Sequence, residues 1–210
     1  MKTISIFSGG MDSATLVAYL MDREDEVKCL TFDYGQRHKK EIESAAELCK
    51  LWGLEHRVVD LSCIQPLICN SSQTGEVDVP HGHYEEENMK LTVVPNRNMI
   101  MLSIAIGWAV NQGYERVAYG AHSGDHAIYP DCRTEFVSAM RTAASLCDWR
   151  AVTVFAPFLN LHKGEIARIG IELDVPFNLT WTCYEGKDDP CGQCGACQER
   201  REAFAYAEKV

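Results

Sequence analysis

Apolar residues recur along the chain in two alternating rhythms. Short β-branched and apolar runs at residues 4–7, 27–32, 57–61, 116–119 and 152–155 predict strands. Between them a 3.6-residue period predicts helices over 14–22, 39–52, 98–111, 135–146 and 163–170. Short strands alternating with longer helical stretches imply βαβ units, and so an α/β fold: a parallel sheet with flanking helices. Ligands bind such sheets at the carboxyl ends of the strands. That rule selects residues 8–13, Asp33-Tyr34-Gly35-Gln36, Gly120-Ala121-His122 and Ala156-Pro157-Phe158 as rims of one cleft. Residues 62–95 break the rhythm with polar composition, as in Asn70-Ser71-Ser72-Gln73-Thr74-Gly75, and predict a long excursion of the lid or disordered kind. No internal repeat or low-complexity tract is present.

Length and charge narrow the picture. A chain of 210 residues fits a single domain, 1–210, with a substantial core. Its formal charge of −10 opposes direct binding of a nucleic acid, which normally needs a basic face, and favours a small-molecule substrate. The N-terminus lacks a basic segment followed by an apolar one, and no unbroken 18-residue apolar run is seen, so the expectation is a cytoplasmic protein with no membrane partner. Ten cysteines in that setting read as thiols plus a metal site rather than disulfides.

The first chemical candidate is the turn after the first strand, Phe7-Ser8-Gly9-Gly10-Met11-Asp12-Ser13. Two glycines permit a positive-φ turn and close backbone approach, two serines bring hydroxyls, and the following helix points N–H groups and its positive dipole end at an anion. An ordinary tight turn is the plain alternative. The spacing is not that of a Walker A loop. It resembles the PP-loop of ATP pyrophosphatases, which cut ATP between the α- and β-phosphates to adenylate a substrate. On this reading Phe7, Ser8, Gly9, Gly10, Met11, Asp12, Ser13, Ala14, Thr15, Leu16 and Val17 form the nucleotide-binding stretch, with Asp12 turned to Mg²⁺ or to loop N–H groups. Asp33 and Tyr34 would border the adenosine.

Near the C-terminus Cys183, Cys191, Cys194 and Cys197 stand in a C-x7-C-x2-C-x2-C spacing with Gly192 and Gly195 between them. Four thiolates on tight turns suit tetrahedral Zn²⁺ within a binding segment at 180–210. An iron–sulfur cluster is the competitor, although the fourth ligand and following proline of the ferredoxin pattern are missing. A closed four-sulfur site leaves no position for water, so its role is structural. Most of the remaining cysteines read as buried apolar residues. His122 and His126 could mimic a helical metal pair, but Gly124 and Pro130 favour a loop. His81 and His83 fall in the polar excursion and read as solvent-exposed.

Several further segments extend a family resemblance over nearly the whole chain. They are Phe32-Asp33-Tyr34-Gly35-Gln36-Arg37-His38, Val94-Pro95-Asn96-Arg97-Asn98, Tyr129-Pro130-Asp131-Cys132-Arg133-Thr134-Glu135-Phe136 and Thr180-Trp181-Thr182-Cys183-Tyr184. With the loop and the cysteines, they resemble the 7-cyano-7-deazaguanine synthases of the queuosine pathway. The resemblance implies a PP-loop, adenine nucleotide alpha-hydrolase-like fold, a four-cysteine zinc site, and conversion of 7-carboxy-7-deazaguanine, ammonia and ATP to the nitrile. The chain departs from that pattern at Ala127-Ile128, where Ser-Gly is common, and at Asn96, where a small residue often stands.

Removing both carboxylate oxygens takes two activations, each leaving charge on a departing phosphate. Asp12, Ser13, Arg97, Arg133 and Lys163 are the expected catalytic residues. Arg97 and Arg133 suit a carboxylate or adenylate because a guanidinium fork matches that geometry. Lys163 adds charge near the phosphates, or is simply a solvated first-turn lysine. Asp125, Asp131 or Glu135 could accept from the guanine-like N–H edge. A synthetase that stops at the amide, a PP-loop tRNA-modifying thiolase and a zinc-stabilised nucleotide-binding module are the alternatives, and a homodimer is possible.

Overall fold

The computed structural model describes residues 1–75, 78–80 and 87–209. Five parallel strands form one sheet: β1 (Lys2–Ile6), β2 (Glu26–Asp33), β3 (Glu55–Asp60), β4 (Arg116–Ala118) and β5 (Thr153–Phe155), in the order β3-β2-β1-β4-β5. The sheet starts at its centre and winds outward both ways. Burial follows position: Thr3, Ile4 and Ser5 of central β1 are fully covered, whereas edge strand β3 carries Glu55, Arg57 and Asp60.

The connecting helices are α1 (Met11–Asp22), α2 (Lys40–Trp52), α3 (Arg97–Gln112), α4 (Thr134–Leu146) and α5 (Lys163–Glu172). Each covers a predicted helix. One layer buries Leu16, Val17 and Leu20 of α1 with Leu48 of α2 and Ile166 of α5. The other buries Leu102 and Ile106 of α3 with Val137 and Met140 of α4. A sixth helix, α6 (Gly195–Ala207), was not expected from the sequence, and it packs along α5. Gly164 marks the closeness of that contact, since a Cβ there would lie 2.6 Å from the Tyr206 ring.

The excursion differs from expectation. Its described part is packed, with 3₁₀ turns at Ser62–Leu67 and Glu87–Thr92 and with Ser71, Ser72, Gln73 and Thr74 all buried. Backbone bonds tie it down, Arg37 N–H to the Gln73 carbonyl at 2.9 Å and Ser72 N–H to that of Leu91 at 2.7 Å. His81 and His83 lie outside the described residues. Met89–Gln112 is long and apolar enough to cross a membrane by length and composition, although Lys90 and Arg97 interrupt its apolar run. Here Met101, Leu102, Ala105, Ile106 and Ala109 of that stretch are buried, and α3 packs on β1 and β4.

Candidate active site and metal centre

Strand order reverses between β1 and β4, so the chain leaving β1 opens a crevice at the carboxyl end of the sheet. The loop of Ser8 to Ser13 occupies that point. Gly9 has φ +82°, and a Cβ there would lie 2.4 Å from the Glu41 carbonyl oxygen and 2.6 Å from the Ala45 nitrogen, so only glycine lets the loop rest on α2. Gly10 is the N-cap of α1 and no side chain caps this helix, which leaves first-turn N–H groups for an anion. Ser13 Oγ donates to the Gly10 carbonyl at 3.1 Å and meets Ser8 Oγ at 3.1 Å.

Beside the loop sits a compact charge cluster. Lys163, at the start of α5, reaches Asp12 Oδ2 at 3.2 Å and Glu199 Oε2 at 2.6 Å, and its side chain is only 11% exposed. The solvated alternative for this lysine is thereby overturned. Its backbone is fixed by His162, whose Nδ1 accepts from Gly164 N–H while Glu165 accepts from the His162 N–H. His122 is buried, with Nε2 3.5 Å from Asp125 and 3.8 Å from Asp12. Burial alone would raise the Asp12 carboxyl, but Lys163 and His122 outweigh it and hold it below the usual carboxylate range. For Glu199 burial prevails over Lys163 and His122, and its carboxyl is raised. Asp12 Oδ1 is buried with no hydrogen-bond partner, a lone acceptor that fits a cation such as Mg²⁺ at the phosphates.

The same cleft holds Arg97, whose Nη1 donates to the Tyr34 hydroxyl at 3.4 Å with its guanidinium over the Tyr34 ring. Tyr129, bonded to Thr92 at 2.5 Å, lines it with Gln36, Gln73 and Glu41. Burial raises the Glu41 carboxyl to about 7 against the opposing pull of Arg97.

Asp12, Ser13, Arg97, Lys163 and Asp125 are therefore brought to one cleft, with Phe7, Ser8, Gly10, Met11 and Tyr34. Other expected residues are not. Arg133 is exposed and donates to the His126 carbonyl at 2.7 Å, because the 3₁₀ turn Pro130–Cys132 points it outward. Asp131 Oδ2 accepts from the Asn98 N–H at 3.2 Å and so serves the start of α3. Asp33 pairs with Lys39 at 2.6 Å. Ala14, Thr15, Leu16 and Val17 are buried inside the helix layer, and the helical period turns them from the cleft to the core. Asn96 has φ +59° as the N-cap of α3, a left-handed position that Asn tolerates well, and Ile128 is buried in the core; neither departure from the family pattern lines the cleft.

The four tail cysteines converge, with all sulfur atoms within 4.8 Å of one another. Tetrahedral zinc–thiolate geometry sets sulfurs about 3.8 Å apart, so the group could hold a metal ion. Among the described residues it is the only such group with three or more members. Gly192, at φ +71°, makes the turn that lets Cys191 Sγ accept from the Gln193 and Cys194 N–H groups at 3.4 and 3.3 Å. Cys194 caps α6 and Cys197 lies in its first turn.

The profile of the queuosine biosynthesis protein QueC family matches residues 2–208. The chain belongs to the QueC family. A 7-cyano-7-deazaguanine synthase from Marinomonas sp. (strain MWYL1) is 50% identical over 209 residues, which cover 100% of this chain and 95% of the relative. Two solved structures share the PP-loop fold at low identity. NMN synthetase from Francisella tularensis gives a TM-score of 0.56 at 13% identity, over 99% of this chain and 84% of that one. The U34-tRNA thiolase NcsA from Methanococcus maripaludis, with its [4Fe-4S] cluster, gives 0.52 at 16% identity, over 100% and 66%.

In this QueC chain two residues of the site carry no signal in the sequence. His122 is on the expected cleft rim at the end of β4, and it lines the cleft beside Asp12 and Asp125. Glu199 carries no motif of its own, and its helix is hidden by the polar run Gln198-Glu199-Arg200-Arg201-Glu202. Glu41 is one of two acids in the first turn of α2, and nothing local marks it as facing the cleft. Arg200, beside Glu199, donates to Thr180 Oγ1 at 2.7 Å, Thr182 Oγ1 at 2.9 Å and the Phe177 carbonyl at 2.7 Å, which straps the tail across the cleft mouth at Trp181 and Thr182.

Proposed function

We propose that this chain converts 7-carboxy-7-deazaguanine and ammonia to 7-cyano-7-deazaguanine with ATP. The carrying observation is the pairing, in one crevice, of a phosphate loop with two half-buried cations, Lys163 bound to Asp12 of the loop and Arg97 bound to Tyr34. The substrate carboxylate attacks the α-phosphorus of ATP and pyrophosphate leaves. Ammonia then displaces AMP to give the amide. The amide oxygen is adenylated in turn, and loss of AMP with a proton leaves the nitrile. Ser8, Ser13 and the first-turn N–H groups of α1 bind phosphate, Lys163 stabilises the departing pyrophosphate, and Arg97 orients the carboxylate. Asp12 would hold Mg²⁺, whose chemistry is to neutralise phosphate charge.

Zn²⁺ is the metal we assign to the four cysteines. The closed all-sulfur set confers a structural role. A single domain working on free small molecules in the cytoplasm, without direct nucleic acid contact, accords with the charge of −10. A single time course tests the whole reading: AMP and pyrophosphate accumulate while mass spectrometry shows amide rising and then giving way to nitrile. ADP and phosphate as initial products would overturn adenylation, and amide that persists after fresh ATP would make the chain an amide synthetase.

A further inference from the structure

We propose that Glu41 is the proton acceptor for the attacking nitrogen, taking the proton that ammonia must lose as it becomes an amide. The proposal rests on the adenylation reading above. Glu41 belongs to the first turn of α2, its backbone carbonyl lies against Gly9 of the phosphate loop, and its side chain lines the cleft shared with Ser8, Tyr34 and Arg97. A carboxyl held by Arg97 and joined to a phosphate at the loop places its acyl carbon between those two points, in the cleft that Glu41 also lines and within reach of the charge of Arg97 that acts on Glu41. The other cleft acids are engaged elsewhere, Asp12 and Glu199 with Lys163 and Asp125 with His122. Among the described residues the Glu41 carboxylate accepts no hydrogen bond, so its oxygens are open to the cleft.

The step balances without another reagent. The nitrogen lone pair adds to the acyl carbon, the bond from that carbon to the AMP oxygen breaks with its electron pair on AMP, and one N–H proton passes to Glu41. An acceptor works best when its pKa is close to the working pH, and burial brings Glu41 to about 7. The groups acting on it by charge are the Arg97 guanidinium from α3 and the Tyr34 phenol from the turn after β2. Lys40, its neighbour on α2, turns away to the Trp181 ring and Asp188.

The full-length Glu41→Gln variant separates the steps. Pyrophosphate–ATP exchange driven by 7-carboxy-7-deazaguanine without ammonia reports adenylation, and amide formation with ammonium reports the step assigned to Glu41. The expected result is exchange within about 3-fold of wild type and amide formation lowered about 100-fold or more, the scale of lost proton transfer. Hydroxylamine, whose nitrogen is far more acidic than that of ammonia once attached to the acyl carbon, can give up its proton to water and should restore acyl transfer to the variant. Unchanged amide formation would overturn the assignment, as would exchange lost in parallel, or a raised KM for the acid as the only defect. If the variant does not fold, Glu41→Asp and the wild-type pH profile decide: turnover at a constant concentration of unprotonated ammonia must fall below about pH 7 while exchange stays level, and parallel profiles would defeat the proposal. No exchange in the wild type would instead overturn adenylation, and the proposal with it.

Discussion

Glu199, on the C-terminal helix α6, accepts from the Nζ of Lys163 at 2.6 Å, while Asp12 of the phosphate loop holds the same ammonium from the other side at 3.2 Å. The cation beside the loop is thus fixed by α1 and by α6, two helices far apart in sequence. Replacing Glu199 with Gln should keep the hydrogen bond and weaken the positioning of Lys163. A rise of about 5-fold to 10-fold in KM for ATP is expected, with little loss of thermal stability, because truncating a partner while keeping its geometry costs less than leaving a buried charge alone.

Lys163→Met removes the charge itself. Asp12 and Glu199 then face each other without a cation in a buried setting, so unfolding free energy should fall by roughly 3 kcal/mol. Pyrophosphate release should drop about 100-fold or more, the scale seen when a preorganised charge is lost from a reacting centre. Denaturant melts and initial-rate assays read the two effects separately. Arg97→Ala should likewise abolish turnover, whereas exposed Arg133→Ala should stay within about 3-fold of wild type; an inactive Arg133→Ala with an intact fold would show that Arg133 enters the cleft when substrate binds.

Gly9→Ala tests the loop. Its Cβ would collide with backbone atoms of α2 at a φ that L-residues rarely adopt. Neither obstacle can be moved by a rotamer change, so a loss of about 2 kcal/mol or more and a large fall in ATP affinity are expected.

Two cleft carboxyls answer pH with opposite signs. The Asp12 carboxyl is lowered in the folded protein, so its contribution is present above the ordinary aspartate pKa and is lost as pH falls through the folded value. Glu41 is raised from 4.5 to about 7, so stability is greatest below its unfolded value and falls as pH rises to about 7. The full cost of its ionisation is up to roughly 3 kcal/mol. Glu41→Gln should therefore stabilise the protein at pH 8 and have little effect at pH 4.5, which urea titrations at the two pH values would show.

Metal removal should act through α6. With the proposed ion chelated, Cys183 and Cys191 would lose their tie to the first turn of α6, loosening the helix that carries Glu199 and Arg200. Loss of helical signal and of activity together, both regained with Zn²⁺, is the expected outcome; activity surviving full chelation would separate the tail from the cleft.

The legible part of the fold was its alternation of β-branched runs and amphipathic helices, because both periods are local properties. The phosphate loop was legible for the same reason. Lys163 was placed correctly in sequence but its burial was not, since that depends on Glu199, which lies 36 positions away. Arg133 misled because an arginine in a short motif carries no sign of which way a 3₁₀ turn will aim it. Helix α6 was missed because its exposed face is charged and its buried face is mostly small, Gly195, Ala196 and Ala203, so the amphipathic signal is faint.

The order in which the chain is made gives the Lys163 clamp a further meaning. Asp12 is translated well before Glu199, and Lys163 lies between them in the chain. A nascent chain can therefore fold the anion-binding turn while Lys163 still lacks the carboxylate that holds it from the other side. The clamp closes only when the segment carrying Glu199 has been made, so completion of the site follows synthesis of α6 rather than of the loop.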